Sequence, residues 1–482
     1  MSELPATPTL YEALQSYKDA EITPLHMPGH KRRASFAADL PWHLDITEIE
    51  GFDNLHVPEG ILRDAQARAA RLWGSDGAFF LVNGSTGGIL AGIYAAALPG
   101  EQVLVARNCH RAVYHAIELL QLSPVYLDPP IVAGTGICGS IPPEMVEAAL
   151  QANPAVRLAV ITSPTYEGVL SDVGAIAQIL HEREIPLLVD EAHGAHLGLS
   201  EHFPPGAVSM GADIVVQSLH KTLPSLTQTA TVHLCGDRVP RERMQHALAV
   251  FQSSSPSYLL MASIDGCVAE LEARGEARLA AWRGYLDKFY QEVELRKLSL
   301  LTAQQDEVHI YDRDPSKIVI LCEDTDWSGT MLMETLRRDV NIELEMALDG
   351  YAIAMTGLGS IDEDFARLRE ALQALDCRGG NLPPAVLQRT RHARPYPVMP
   401  ERVMPVGEAM RARGRQVALS ESVGCISRTY LFAYPPGIPL LTPGVRITRE
   451  VVESVTELME RGVEIKSTFR TRAGFVEIVD KG

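Results

Sequence analysis

From about residue 61 the chain alternates between two hydrophobic periods. ILRDAQARAARLWG spaces apolar residues three and four apart, as an amphipathic helix does, and leads into GAFFLVNGSTGG. The apolar run QVLVARN follows, then a helical stretch from His110 to Leu122. PVYLDP, a helix near 142–152, RLAVITSP, a helix near 172–184 and IPLLVDEAHG continue the order. GADIVVQSLHK then leads into TQTATVHL. Short β-branched runs alternating with helices predict an α/β fold with a mostly parallel sheet covered on both faces.

The pattern divides the chain. Residues 1–60 read as an N-terminal arm centred on LHMPGHKRR, residues 25–33, where Pro and Gly break regular structure. A solvated loop is the plain reading of that segment. A large domain spans 61–304 and ends in the charged, helix-prone stretch VAELEARGEARLAAWRGYLDKFYQEVELRKL, which predicts a long connecting helix from about residue 270. Residues 305–387 form a smaller α/β domain and link, with VHIYDRD, SKIVILCED, a helix from about 327, YAIAMTGL and then CRGGNLPPAVL. A C-terminal α/β domain covers 388–482. A chain of 482 residues exceeds the roughly 250–300 that one core serves.

Composition narrows the class. Hydrophobic residues at 46% and charged residues at 22% are those of a globular chain without disorder. The formal net charge of −18 argues against nucleic acid as the main partner, since phosphate binding needs a basic face. Solubility explains the charge; attraction of cationic substrates is a second reading. The seven cysteines, at 109, 138, 235, 267, 322, 377 and 425, form no CxxC pair. That argues against a disulfide framework or a metal site and for reduced thiols. The N-terminus lacks a signal-type apolar core, and no stretch reaches the roughly 18–20 apolar residues of a membrane helix. The cytoplasm is the default location.

Four segments carry chemistry. In IPLLVDEAHGAH the apolar run stops at Asp190, at the carboxyl end of a buried strand, where ligands bind in α/β sheets. A carboxylate there needs a cationic partner, and a protonated pyridine nitrogen suits it. The alternatives are a helix cap, or a metal cluster of Asp190, Glu191, His193 and His196. In GADIVVQSLHKTL another apolar run ends in Ser218, His220 and Lys221, with Lys221 31 residues after Asp190, about one strand–connection–strand unit. A lone lysine there is usually a surface charge. With Ser218 and His220 beside it, its amine is placed to form an imine with an aldehyde, while its neighbours bond a phosphate. NGSTGG, residues 83–88, lies between an apolar run and a helix, where glycine allows close phosphate approach and Ser85 and Thr86 add hydroxyl donors. In RNCHRAVYHAIEL, His110 opens a helix after a strand, as a cap or as a ring facing a cofactor.

Together these segments resemble the ornithine/lysine/arginine decarboxylases of the pyridoxal 5′-phosphate (PLP) fold type I, the aspartate aminotransferase-like fold. The resemblance covers almost the whole chain, through LHMPGHKRR, DITEIEGFDNLHVPEG, FFLVNGSTGG, RNCHRAVYHAIEL, SPTYEGVLSD, VDEAHGAHLG, GADIVVQSLHKTLPSLTQTA, SSSPSYLLMASID and AYPPGIPLLTPG. It implies a Schiff base between PLP and Lys221, with Asp190 on the pyridinium nitrogen. His110 would stack on one ring face and Ala192 on the other. Ser85, Thr86, Ser218 and His220 would hold the phosphate, and His193 would lie nearby. SSSPSY, residues 253–258, would reach a neighbouring subunit's site. The N-terminal wing domain of long family members has no room before the arm, so the short form is implied, as a homodimer or dimer of dimers.

The reaction implied is decarboxylation of a basic amino acid, arginine ahead of lysine and ornithine, in a polyamine-biosynthesis context. The ring would be the electron sink, and Lys221 or His110 would return the proton to Cα. The family pattern ends PGE where this chain has TPGVRI, so Val445 stands in place of Glu. That departure bears on recognition of the distal amine or guanidinium, or on an ion pair. It leaves transamination or a lyase step on a modified amino acid as the alternative. A non-catalytic homologue is a third reading, opposed by the intact Lys221, Asp190, His110 and phosphate-site residues.

Overall fold

The structure is a computed structural model and describes residues 8–20, 27–28, 31, 40–303, 306–322, 325–379, 396–434, 438–460 and 463–480. Most of LHMPGHKRR, the centre of the link at 380–387, and Pro435–Gly437 of AYPPGIP lie outside the described residues. The chain divides into two compact units. One comprises Met1–Ala96, Leu180–Asp287 and Thr356–Ile361; the other comprises Ala97–Ile179, Lys288–Met355 and Asp362–Gly482.

In the first unit, the strand Gly77–Leu81 pairs antiparallel with Ala230–Leu234, which pairs antiparallel with Ile214–Gln217. Ile214–Gln217 runs parallel to Leu187–Asp190. All four strands are buried along their length, which is why their sequences are mainly apolar. The helix Gly84–Ala96 packs on this sheet through its glycines. A Cβ on Gly92 would stand 2.7 Å from Leu188 Cδ1, and one on Gly88 2.6 Å from Leu81 Cδ1. The helix Ile61–Trp73 starts where the Asp53 carboxylate accepts from the backbone N–H groups of Gly60 and Leu62, at 2.7 and 3.1 Å. The helix Leu10–Asp19 opens with a capping box of Thr9 and Glu12. Its Leu10 N–H donates to buried Asp265, which also pairs with Arg68 at 2.5 Å.

The long helix begins at Tyr258 and runs to Glu292, earlier than its charged composition predicts. Its first turns, with Met261, Ile264 and Val268 buried, are apolar and so lack the charge signature of the later ones.

In the second unit, Gln102–Ala106 lies between Ser123–Leu127 and Val156–Thr162, parallel to both. The helices Arg111–Leu120 and Pro143–Ala152 connect these strands. Lys317–Leu321 pairs with Tyr351–Met355 and with Ser299–Leu300. VHIYDRD yields only the two-residue strand Asp312–Arg313, paired with Val169–Leu170, because Val308 and Tyr311 are exposed. The C-terminal part pairs Gly414–Ala418 with Phe475–Val479, and Leu431–Tyr434 with both Pro439–Leu441 and Glu464–Ser467. Its core gathers Val417, Leu431, Leu440, Val445, Ile447 and Val451.

Arg107 ties this part to the strand before it. The guanidinium is fully buried, donates to Tyr114 Oη at 2.8 Å and to the Pro439 carbonyl, and lies 4.8 Å from the centre of the Tyr396 ring. Ring faces and neutral oxygens surround it in place of a carboxylate.

Candidate active site

The strands Leu187–Asp190 and Ile214–Gln217 end side by side in the first unit, with Asp190 opposite Val216. The polar residues that follow each strand therefore converge. Asp190 is buried, and its Oδ1 accepts from the Ala192 N–H at 3.1 Å. Burial raises its pKa, against the opposing pull of the Lys221 ammonium and the Ala192 N–H. Ala192 is buried beside it.

After the second strand the chain makes one short helical turn, Leu219–Thr222, with Ser218 before it. This turn presents Lys221 towards the first strand end, where Nζ lies 2.8 Å from His193 Nε2. Of the candidates, Asp190, Ala192, His193, Ser218 and Lys221 are thus assembled within a single unit. His220 is half-buried, and its Nδ1 faces the Thr229 carbonyl at 2.9 Å. A carbonyl only accepts, so Nδ1 carries the proton. Burial lowers the pKa of this imidazole, which leaves Nε2 bare in the neutral form.

NGSTGG forms the turn from Gly77–Leu81 into the helix Gly84–Ala96. Gly84 sits at φ +67°, a conformation that favours glycine, and its N–H donates to the Gln228 carbonyl at 3.0 Å. That bond joins the turn to the segment that follows Lys221. Ser85 and Thr86 occupy the first turn of the helix, both at least partly open to solvent.

His110 belongs to the second unit. It does not open the helix but precedes it as N-cap, in extended conformation, with Nδ1 accepting from the Ala112 N–H at 3.2 Å.

His196 is fully buried, with ring centres of Phe203 and Trp282 each 4.8 Å away. Both oxygens of Glu191 are engaged, by the Ala207 N–H and by Gln217. Among the described residues no group of three or more His, Cys, Asp or Glu side chains is arranged to hold a metal ion. Val445 is 1% exposed within the C-terminal apolar core.

Two buried hydroxyls, Ser218 Oγ and Thr222 Oγ1, lack a hydrogen-bond partner among the described residues. Unsatisfied buried donors flanking a lysine fit a polyanionic group held at that turn. With an amine for an aldehyde and a buried carboxylate for a ring cation, the donor set fits PLP. Sequence reasoning passed over Thr222, Gln217 and His233. The signal for the last two was a polar residue inside an apolar strand, IVVQ and ATVHL.

A family profile described as Orn/Lys/Arg decarboxylase, major domain, matches residues 8–311. An uncharacterised protein of Bacillus subtilis strain 168, YaaO, is 34% identical over 477 residues, covering 96% of each chain. The arginine decarboxylase of Halalkalibacterium halodurans is 30% identical over 484 residues, covering 98% of each chain. The crystal structure of the Francisella novicida lysine decarboxylase LdcF superposes with a TM-score of 0.80 at 21% identity, over 99% of this chain and 82% of that one. This likeness bears out the α/β architecture of PLP fold type I.

Proposed function

Because the chain belongs to the Orn/Lys/Arg decarboxylase family, we propose that it decarboxylates arginine in preference to lysine or ornithine, with PLP as cofactor. That it is an amino-acid decarboxylase of basic substrates follows from the family; the choice of arginine is the finer step. One observation carries the site reading: the Lys221 amine lies 2.8 Å from His193 Nε2, in the same unit as the buried carboxyl of Asp190. The choice of arginine is supported by 30% identity to an arginine decarboxylase along nearly the full length of both chains. The net charge of −18 suits a cationic substrate.

Bound PLP supplies an aldehyde for amines and a protonated ring that accepts the electron pair left by a departing carboxylate. Lys221 would hold it covalently, with His193 sharing the proton at Nζ. Asp190 would keep the ring nitrogen protonated, and its burial strengthens that pairing. Ser85, Thr86, Ser218 and His220 would hold the phosphate, whose negative charge would draw a proton onto His220 Nε2. The family resemblance assigns His110 and Ala192 to the two ring faces. It also assigns the return of the proton at Cα to Lys221 or His110.

We further propose a homodimer or dimer of dimers, with residues 253–258 reaching the neighbouring subunit's site. The proposed organisation is an arm to residue 60, a large domain at 61–304, a small domain and link at 305–387 and a C-terminal domain at 388–482. None of the seven cysteines is joined in a disulfide, which supports a reducing, cytoplasmic location.

The test is carbon dioxide release from arginine, lysine and ornithine, with the product identified. Arginine should be fastest and yield the corresponding amine. Faster release from another substrate refutes the preference; release from none refutes the function. Holoenzyme should absorb near roughly 420 nm, a general property of the cofactor chemistry. Lys221→Ala should lose that band, and Asp190→Ala should cost far more in turnover than in substrate binding.

A further inference from the structure

We propose that Glu191 is a positioning residue for the Asp190–Lys221 site, acting through a directional hydrogen-bond chain of Ser75, His233, Gln217 and Glu191. The inference rests on the reading of that site given above. Glu191 and Gln217 are chain neighbours of Asp190 and Ser218, so a link between them fixes the two strand ends against each other.

The geometry is explicit. Glu191 is 1% exposed; Oε1 accepts from the Ala207 N–H and Oε2 from Gln217 Nε2, each at 2.7 Å. Gln217 Oε1 faces His233 Nε2 at 3.1 Å, and His233 Nδ1 faces Ser75 Oγ at 3.0 Å. Thr231 Oγ1 lies 3.3 Å from the same Nε2. Gln217, Thr231 and His233 are fully buried, and the Trp73 ring centre lies 5.2 Å from that of His233.

Direction follows from donor and acceptor capacity. Burial holds His233 neutral, so its ring carries one proton. Gln217 Oε1 only accepts, which puts that proton on Nε2. Nδ1 is then bare and accepts from the Ser75 hydroxyl. Every bond points its hydrogen towards Glu191, whose two oxygens meet donors only, the arrangement the group takes when ionised, above about pH 8.

Replacing the carboxylate by an amide reverses the chain. Gln at 191 keeps an oxygen for the Ala207 N–H and turns an NH2 group towards Gln217. Gln217 must then flip, presenting its own NH2 to His233 Nε2. The ring proton moves to Nδ1 and points at Ser75 Oγ, whose hydroxyl turns to the Gly77 carbonyl, 3.2 Å away. Exchanging the two residues, Glu191→Gln with Gln217→Glu, reverses the bond between 191 and 217 but restores the original direction at His233 and Ser75, because the carboxylate at 217 then accepts from both neighbours. A core that needed only volume would respond to neither change.

The experiment uses full-length holoprotein labelled with 15N-histidine, at pH 9. NMR reads the His233 tautomer, and fluorescence titration reads the PLP dissociation constant. Wild type should carry the Nε2–H tautomer. Glu191→Gln should carry Nδ1–H and bind PLP about tenfold more weakly. The exchanged double variant should regain Nε2–H and PLP binding within about twofold of wild type. An unmoved tautomer or PLP affinity in Glu191→Gln overturns the proposal, as does failure of the exchange to restore both. Should Glu191→Gln not fold, the double variant decides alone: Nδ1–H or weak PLP binding in it is refuting. A wild type that binds no PLP refutes the cofactor reading instead, and the tautomer reversal still tests the chain.

Discussion

Gly88→Ala sets two effects of known size against each other in the helix Gly84–Ala96, which carries Ser85 and Thr86. Alanine in a helix interior is favoured over glycine by roughly 0.8–1 kcal/mol. At Gly88 the new Cβ would stand 2.6 Å from Leu81 Cδ1 and 2.9 Å from Val216 Cγ1. Carbon atoms in contact prefer about 3.5–4.0 Å. Leu81 can yield at its tip, but β-branched Val216 is stiff and fully buried. Overpacking of this kind costs about 1–3 kcal/mol, so the variant should lose about 1 kcal/mol net. A Cβ on Gly266, inside the helix Tyr258–Glu292, would meet nothing within 4 Å, so Gly266→Ala should gain about 1 kcal/mol. The same chemical change is thus expected to have opposite signs. Urea unfolding of both variants measures this. Ser85 and Thr86 ride on the displaced helix, so PLP affinity should also fall by about 3- to 10-fold in Gly88→Ala only. Equal stabilisation by the two substitutions, with PLP affinity unchanged, would refute the close-packing argument.

Val445→Glu, which restores the family residue, puts a carboxyl among Val417, Leu431 and Ile447 and should destabilise by about 3 kcal/mol at neutral pH, with partial recovery at pH 5 as the carboxyl protonates. Thermal melting at the two pH values checks it, and an unchanged midpoint counts against it. Lys317 Nζ and Asp314 Oδ2 form a fully buried ion pair at 2.9 Å. Asp314→Ala should cost about 3–5 kcal/mol by removing the carboxylate from a buried ammonium, and Asp314→Leu with Lys317→Met should cost less; equal losses in denaturation would reject this. Burial, opposed by Gln217 and Ala207 and aided by Asp190, pushes the Glu191 carboxyl up to about 8. The unfolded chain ionises this group near pH 4.5, so its stabilisation is full below that value and is lost as pH rises to about 8. Glu191→Gln lacks this titration, so its urea midpoint relative to wild type should rise between pH 4.5 and 8, and a constant difference would refute the assignment.

What the sequence determined is what depends on neighbours along the chain. Apolar runs ending in Asp190 and in Ser218–Lys221 marked two buried strand ends, because burial on both faces excludes polar residues until the strand stops. Gly84 and the turn into its helix were legible for the same local reason. His110 was placed at the start of a helix, as a cap or as a ring facing a cofactor, and the structure makes it the N-cap, one residue before the helix begins. Tertiary structure alone decided what depends on strand register and long closure. Asp190 lies opposite Val216 and Gln217 opposite Thr231, and that pairing brings Glu191, Gln217 and His233 into one chain. Arg107 finds the Pro439 carbonyl 332 residues later, a contact no local pattern announces. Val445 shows the limit most plainly. In sequence it marks a lost charge in a family pattern; in the fold it is a valine in an apolar core, because hydrophobic burial responds to what surrounds a residue in space and a sequence orders residues only along a line.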